Sequence, residues 1–69
     1  MRIAHCFIDL DDMPLGIAVT FGRRRSFYSP DPRLVGIDGM LFSDCATLIA
    51  AILALLDVEA DRLTLRRRS

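Results

Sequence analysis

Apolar and polar positions alternate at the start of this chain, change period once near the middle, and alternate again at the end. Residues 2 to 10, RIAHCFIDL, place Ala4, Cys6, Ile8 and Leu10 on one face and Ile3, His5, Phe7 and Asp9 on the other, which predicts a strand. Asp11-Asp12-Met13-Pro14 breaks the pattern with turn residues, and proline cannot donate to a central ladder. Residues 15 to 21, LGIAVTF, alternate again. Leu15, Ile17, Val19 and Phe21 form a bulky side, and Gly16, Ala18 and Thr20 a thin one against which something can lie close. Gly22-Arg23-Arg24 turns the chain into a short third strand, RSFYS, carrying Phe27 and Tyr28. Pro30-Asp31-Pro32 ends it, because prolines remove donors and push their neighbours to extended backbone. Residues 33 to 42, RLVGIDGMLF, fit either an extra edge strand or an ordered loop packed over the following segment.

Ser43 to Leu56, SDCATLIAAILALL, has the helical period. Ser43 or Asp44 can cap its start, Ala and Leu dominate it, and no Gly or Pro interrupts it. Asp57 stands where a left-handed residue ends a helix, and Val58 can fold back onto Leu53. No polar face exists. Leu48, Ile52 and Leu55 form one stripe, Ile49, Leu53 and Leu56 a second, and Ala46, Ala50 and Ala54 a smooth ridge. One sheet face covers one side only, so the other side needs either the loop at 33 to 42 or a second copy of the protein, and the ridge is assigned to self-association. After Glu59-Ala60-Asp61, RLTLRRR forms a last strand with Leu63 and Leu65 inward. The expected fold is one small α+β domain spanning residues 1–69. Its antiparallel sheet has three to four strands in the order β-β-β-(β)-α-β, with one apolar helix packed on one face.

The chain of 69 residues is short enough for its stability to be marginal without some addition. Cys6 and Cys45 occupy apolar positions, as buried thiols of a reducing compartment do, and His5 completes no ligand spacing, so no metal and no cofactor are expected. Oligomerisation, with a homodimer as the simplest case, remains as the source of extra burial. No leader-like segment is read at the start, and the run Ser43–Leu56 is too short to span a membrane, so a cytoplasmic protein is expected.

No nucleophile, base and orienting group occur together, and no phosphate-binding glycine loop is present, which predicts a protein without catalytic activity. Charge is the remaining chemistry. The net charge is zero and all nine cations are Arg. Asp9, Asp11 and Asp12, with Asp57, Glu59 and Asp61, are candidate acidic docking residues, although a solvated hairpin tip is the simpler account of the first three. Arg23, Arg24 and Arg25, with Arg66, Arg67 and Arg68, are candidate basic ones, although solubilising a turn and a chain end is again simpler. If residues 34 to 42 run back along the sheet, the acids gather at one end and the two Arg triplets at the other. If they form a local loop, the second triplet neutralises the acidic end.

Arg, Ala and Leu abundance without Lys or Asn suggests a GC-rich bacterial or phage genome. In size, in its single small α+β domain and in its lack of catalytic motifs, the chain resembles the phage and mobile-element proteins that inhibit CRISPR systems. The resemblance covers layout alone and transfers no residue roles. It implies direct binding to a Cas effector complex, blocking DNA recognition or cleavage. Two other readings stand beside it. One is a nucleic-acid-binding regulator using Arg23–Arg25, Arg66–Arg68, Phe27 and Tyr28. The other is an accessory subunit of a bacterial complex whose partner chain covers the helix.

Overall fold

The computed structural model describes residues 3–68. Five strands form one antiparallel sheet: β1 (Ile3–Leu10), β2 (Met13–Phe21), β3 (Arg24–Tyr28), β4 (Leu41–Phe42) and β5 (Leu63–Arg68), in the order β4-β3-β2-β1-β5. A single helix, α1 (Cys45–Leu56), connects the two edge strands across one face. The class is α+β as expected, but the sheet has five strands rather than three to four. The difference lies in residues 33–42, whose end pairs with β3 through Arg25↔Phe42 and Ser26↔Leu41.

That segment does two things. A 3₁₀ turn at Pro32–Leu34 sends Leu34 and Ile37 into the core beside α1, and β4 then returns along the sheet. Asp31 caps the turn through its carboxylate, which accepts from the Arg33 amide at 2.8 Å. The Phe27 amide donates to the Met40 carbonyl at 3.1 Å, and the Gly39 amide donates to the Phe27 carbonyl at 2.6 Å, so the loop closes as a ladder.

Both helix ends follow local chemistry. The Asp44 carboxylate accepts from the Thr47 amide at 2.7 Å, satisfying a first-turn donor. Asp57 takes the left-handed conformation at φ 56°, and its amide donates to the Leu53 carbonyl at 2.8 Å. Leu48, Ile52 and Leu56 are buried against the sheet, with Ile49 beside them. The inward stripe is therefore centred between the two expected ones, and Leu55 stays 47% exposed. Ala46, Thr47, Ala50 and Ala54 face away from the core and are exposed.

The core is Ile8, Leu15, Ala18, Phe27, Leu34, Ile37 and Phe42 under the helix residues. Register explains how β2 contributes. Cys6↔Ala18 and Ile8↔Gly16 place its thin side beneath α1, so Ile17, Val19 and Phe21 point the other way. A bulge at Ile8/Asp9 pairs Asp9 with Pro14 and leaves Leu15 as the extra residue, which turns into the core. The bulge also accommodates Pro14 within a strand. Thus the bulky side expected for Leu15, Ile17, Val19 and Phe21 is divided: Leu15 goes in and the other three go out. Gly16 is required by the close approach. A Cβ there would lie 2.6 Å from the Tyr28 carbonyl oxygen and 2.8 Å from the Phe27 ring.

Candidate interaction surface

The helix covers one face of the sheet, and among the described residues no element covers the opposite face. Its middle rows are Phe7↔Ile17↔Tyr28 and His5↔Val19↔Ser26↔Leu41, with Phe21↔Arg24 at one end. Phe21 is 54% exposed and Leu41 55%, while Phe7, Ile17 and Val19 are half-buried only by their neighbours. Near β3, Phe7, Pro14, Ile17, Tyr28 and Pro30 line a shallow apolar groove of about 530 Å³. A contiguous apolar face of this kind marks an interaction surface more often than isolated exposed residues do.

Polar groups on the face are organised around β5. Arg66 donates to Asp9 from Nε at 2.6 Å and from the terminal nitrogen at 3.0 Å, and its guanidinium lies 5.3 Å from the centre of the Phe7 ring. These bonds from Arg66 hold the Asp9 carboxyl below the usual carboxylate range against the opposing effect of burial. Asp9 is only 7% exposed, so it does not join Asp11 and Asp12 as an open acidic surface.

The acidic residues gather at one end, as they should if the segment before the helix runs back along the sheet, but the second Arg triplet joins the basic end only in part. At the β1–β2 turn lie Asp11 and Asp12, both at positive φ, close to the Ala60–Arg62 turn that joins the helix to β5. The Asp11 amide donates to the Arg62 carbonyl at 3.0 Å, and the Arg62 guanidinium makes a forked contact with the Asp11 carboxylate. Asp12, Asp57, Glu59 and Asp61 are exposed at this end. At the opposite end, Gly22 at φ 66° opens the turn that carries Arg23 and leads into Arg24 and Arg25 of β3, and antiparallel pairing brings Arg67 and the Arg68 backbone alongside Cys6 and His5. The Arg68 side chain lies outside the described residues. Arg66 belongs to the middle of the sheet rather than to this cluster.

Several residues occupy places the pattern did not show. Phe27, expected beside Tyr28 as a stacking ring, is fully buried under the helix, while Phe21 takes the exposed position next to Arg24. Cys6 and Cys45 are free and half-buried. Burial, and then the neighbouring Cys45, raise the Cys6 thiol, with Arg67 opposing. Among the described residues, no group of three His, Cys, Asp or Glu side chains could hold a metal ion, and no helix is long and apolar enough to cross a membrane. The chain matches no protein-family model, no curated protein and no solved structure.

Proposed function

We propose that the protein is a non-enzymatic, homodimeric interaction protein that binds and blocks a larger complex. The observation that carries this reading is the uncovered apolar face of the sheet, bounded by an acidic end and a basic end. Covering Phe7, Ile17, Val19, Phe21, Tyr28 and Leu41 removes apolar area from water, which a 69-residue chain needs. A second copy suits the face because its charge is self-complementary. A twofold axis lying across the strands stacks two such sheets with strands antiparallel, so each acidic end (Asp12) lies over the other copy's basic end (Arg24). A standard interface uses about 800 Å² per partner. A molecule of 34 × 22 × 20 Å offers a face of that order.

Dimerisation through the sheet leaves the helix faces outward. Ala46, Ala50 and Ala54 then form a smooth surface for the larger partner instead of the self-association contact, with Asp57 and Glu59 at one end. The resemblance to CRISPR inhibitors names the first complex to test, a Cas effector. The experiment measures target-DNA cleavage by purified effectors with and without the protein, alongside its mass in solution by light scattering. Inhibition by the wild type, lost in Ala50→Asp, supports the reading. A monomer at micromolar concentration with no effect on any effector rejects it.

A nucleic-acid-binding reading is favoured by one observation, the exposed Phe21 beside Arg24 on an open sheet, although Phe27 is not available to stack. Binding to single strands that weakens steeply with salt, and that Phe21→Ala abolishes, would select it over the dimer.

A further inference from the structure

On the helix face, at the basic end, the strands extend beyond the start of α1 and leave a cleft of about 460 Å³, within the size range of small-molecule sites. Its floor is thin because Ala4 and Thr20 are cross-strand neighbours there. Arg25 of β3 forms one wall and Arg67 of β5 the other, while Cys6 and Cys45, the first residue of α1, close the inner side. Two cations therefore face one space from strands on opposite sides of β1 and β2, and among the described residues no carboxylate lines it.

Neither cation has an acidic partner among the described residues. Three ion pairs occur among the described residues, Asp9–Arg66, Asp11–Arg62 and Asp31–Arg33, and none includes Arg25 or Arg67. A terminal nitrogen of Arg25 donates to the Ser43 carbonyl at 3.3 Å, which anchors the side chain, and its buried Nε has no partner. Asp44 is near enough to feel the charge of Arg25, but its carboxylate is engaged in capping the helix.

We infer that this cleft binds a phosphate group, held between Arg25 and Arg67 with the Thr20 hydroxyl beneath it. The geometry favours phosphate over carboxylate. A carboxylate presents one planar edge, which a single guanidinium satisfies, whereas a tetrahedral phosphate offers oxygens in several directions to donors on opposite walls. The inference does not depend on dimerisation, because the cleft lies on the face away from the open sheet.

The test is a titration followed by amide and arginine Nε shifts in ¹H–¹⁵N spectra at low ionic strength. The probes are inorganic phosphate, ribose 5-phosphate, and ribose as the uncharged control. Saturating shifts at Thr20, Cys45 and the Arg67 Nε are expected with both phosphates and not with ribose. Equal affinities identify free phosphate as the ligand, and tighter binding of the sugar phosphate identifies a phosphorylated small molecule. Arg67→Gln and Arg25→Gln should each weaken binding by about tenfold or more, as loss of a charged hydrogen bond does. Arg33→Gln, which removes the same charge elsewhere, should leave it unchanged. If Arg25→Gln does not fold, Arg67→Gln and Thr20→Val decide. Shifts that do not saturate at tens of millimolar phosphate, or an equal loss in Arg33→Gln, overturn the site.

Discussion

Asp9 and Arg66 are diagonal neighbours across the β1–β5 pair, joined by two hydrogen bonds of 2.6 and 3.0 Å on the open face of the sheet. The pair ties the last strand to the first, 57 positions apart in the chain, with the guanidinium resting over Phe7. Replacing Asp9 by Asn keeps the shape and removes the charge. Thermal unfolding of Asp9→Asn should occur at a lower temperature than wild type. The double variant Asp9→Leu/Arg66→Leu should come closer to wild type, because both partners are then apolar and no polar group is left without a partner on this face. Differential scanning calorimetry checks both variants, and a wild-type midpoint for Asp9→Asn would show that the pair is energetically neutral.

Acid should weaken the fold in a window set by the carboxylates. Asp9, Asp11, Asp31 and Asp44 all lie below the usual range, held there chiefly by hydrogen bonds from Arg66, Arg62, Arg33 and the Thr47 amide respectively. A depressed folded-state pKa means that the unfolded chain takes up protons first. The stabilisation is therefore complete above the unfolded value of about 3.9 and is lost as pH falls through the folded values. Urea midpoints should be level between neutral pH and about 5 and should fall steadily below about 4. Asp9→Asn should make that fall shallower.

Gly16→Ala tests the close approach between β2 and β3. The new methyl group would meet the Tyr28 carbonyl, which is backbone and cannot swing aside, as well as the Phe27 ring. The expected cost is about 1–3 kcal/mol, larger than the entropic gain of removing a glycine. Chemical denaturation measures it, and an unchanged or raised stability would mean that the strands separate easily there.

Asp57→Gly should stabilise the protein. The residue is non-glycine at φ 56°, and its carboxylate sits at the negative end of the helix dipole. Removing both effects is worth about 1 kcal/mol. A rise in melting temperature is the expected reading, and a fall would assign the Asp57 side chain a stabilising contact.

The two uncovered surfaces can be separated by mutation. Leu48→Asp should abolish folding, since it loses roughly 1.5–3 kcal/mol of burial and adds a buried charge. Val19→Asp or Phe21→Asp should keep the circular-dichroism spectrum and yield a monomer by light scattering. Ala50→Asp and Ala54→Asp should leave both the fold and the dimer intact. Arg24→Asp should weaken the dimer, and adding Asp12→Arg in the same chain should restore it, because each end then meets the opposite charge again. Dissociation by Ala50→Asp and not by Val19→Asp would place the contact on the helix.

Alternation and local capping chemistry were sufficient to determine the order of the long strands, the helix with its Asp44 and Asp57 ends, and the α+β class. They act over a few residues, and no tertiary partner competes with them. The faces were not legible. In β2 both sides are apolar, so periodicity could not say whether Gly16 and Ala18 or Ile17 and Val19 lay beneath the helix. That was decided by the fit of the Phe27 ring against Gly16, and by the bulge that turns Leu15 alone inward. Charge placement likewise depended on whether residues 33–42 run back along the sheet. Two ladder bonds to Phe27 and the burial of Leu34 and Ile37 set that course, and none of these contacts is local in the sequence. The apolar excess of the helix stays exposed at Leu55 and along its alanine flank, and the sheet adds a second uncovered apolar face. A helix has a narrow flank of alanines to leave in water, whereas a strand buried on one face must turn its other side outward.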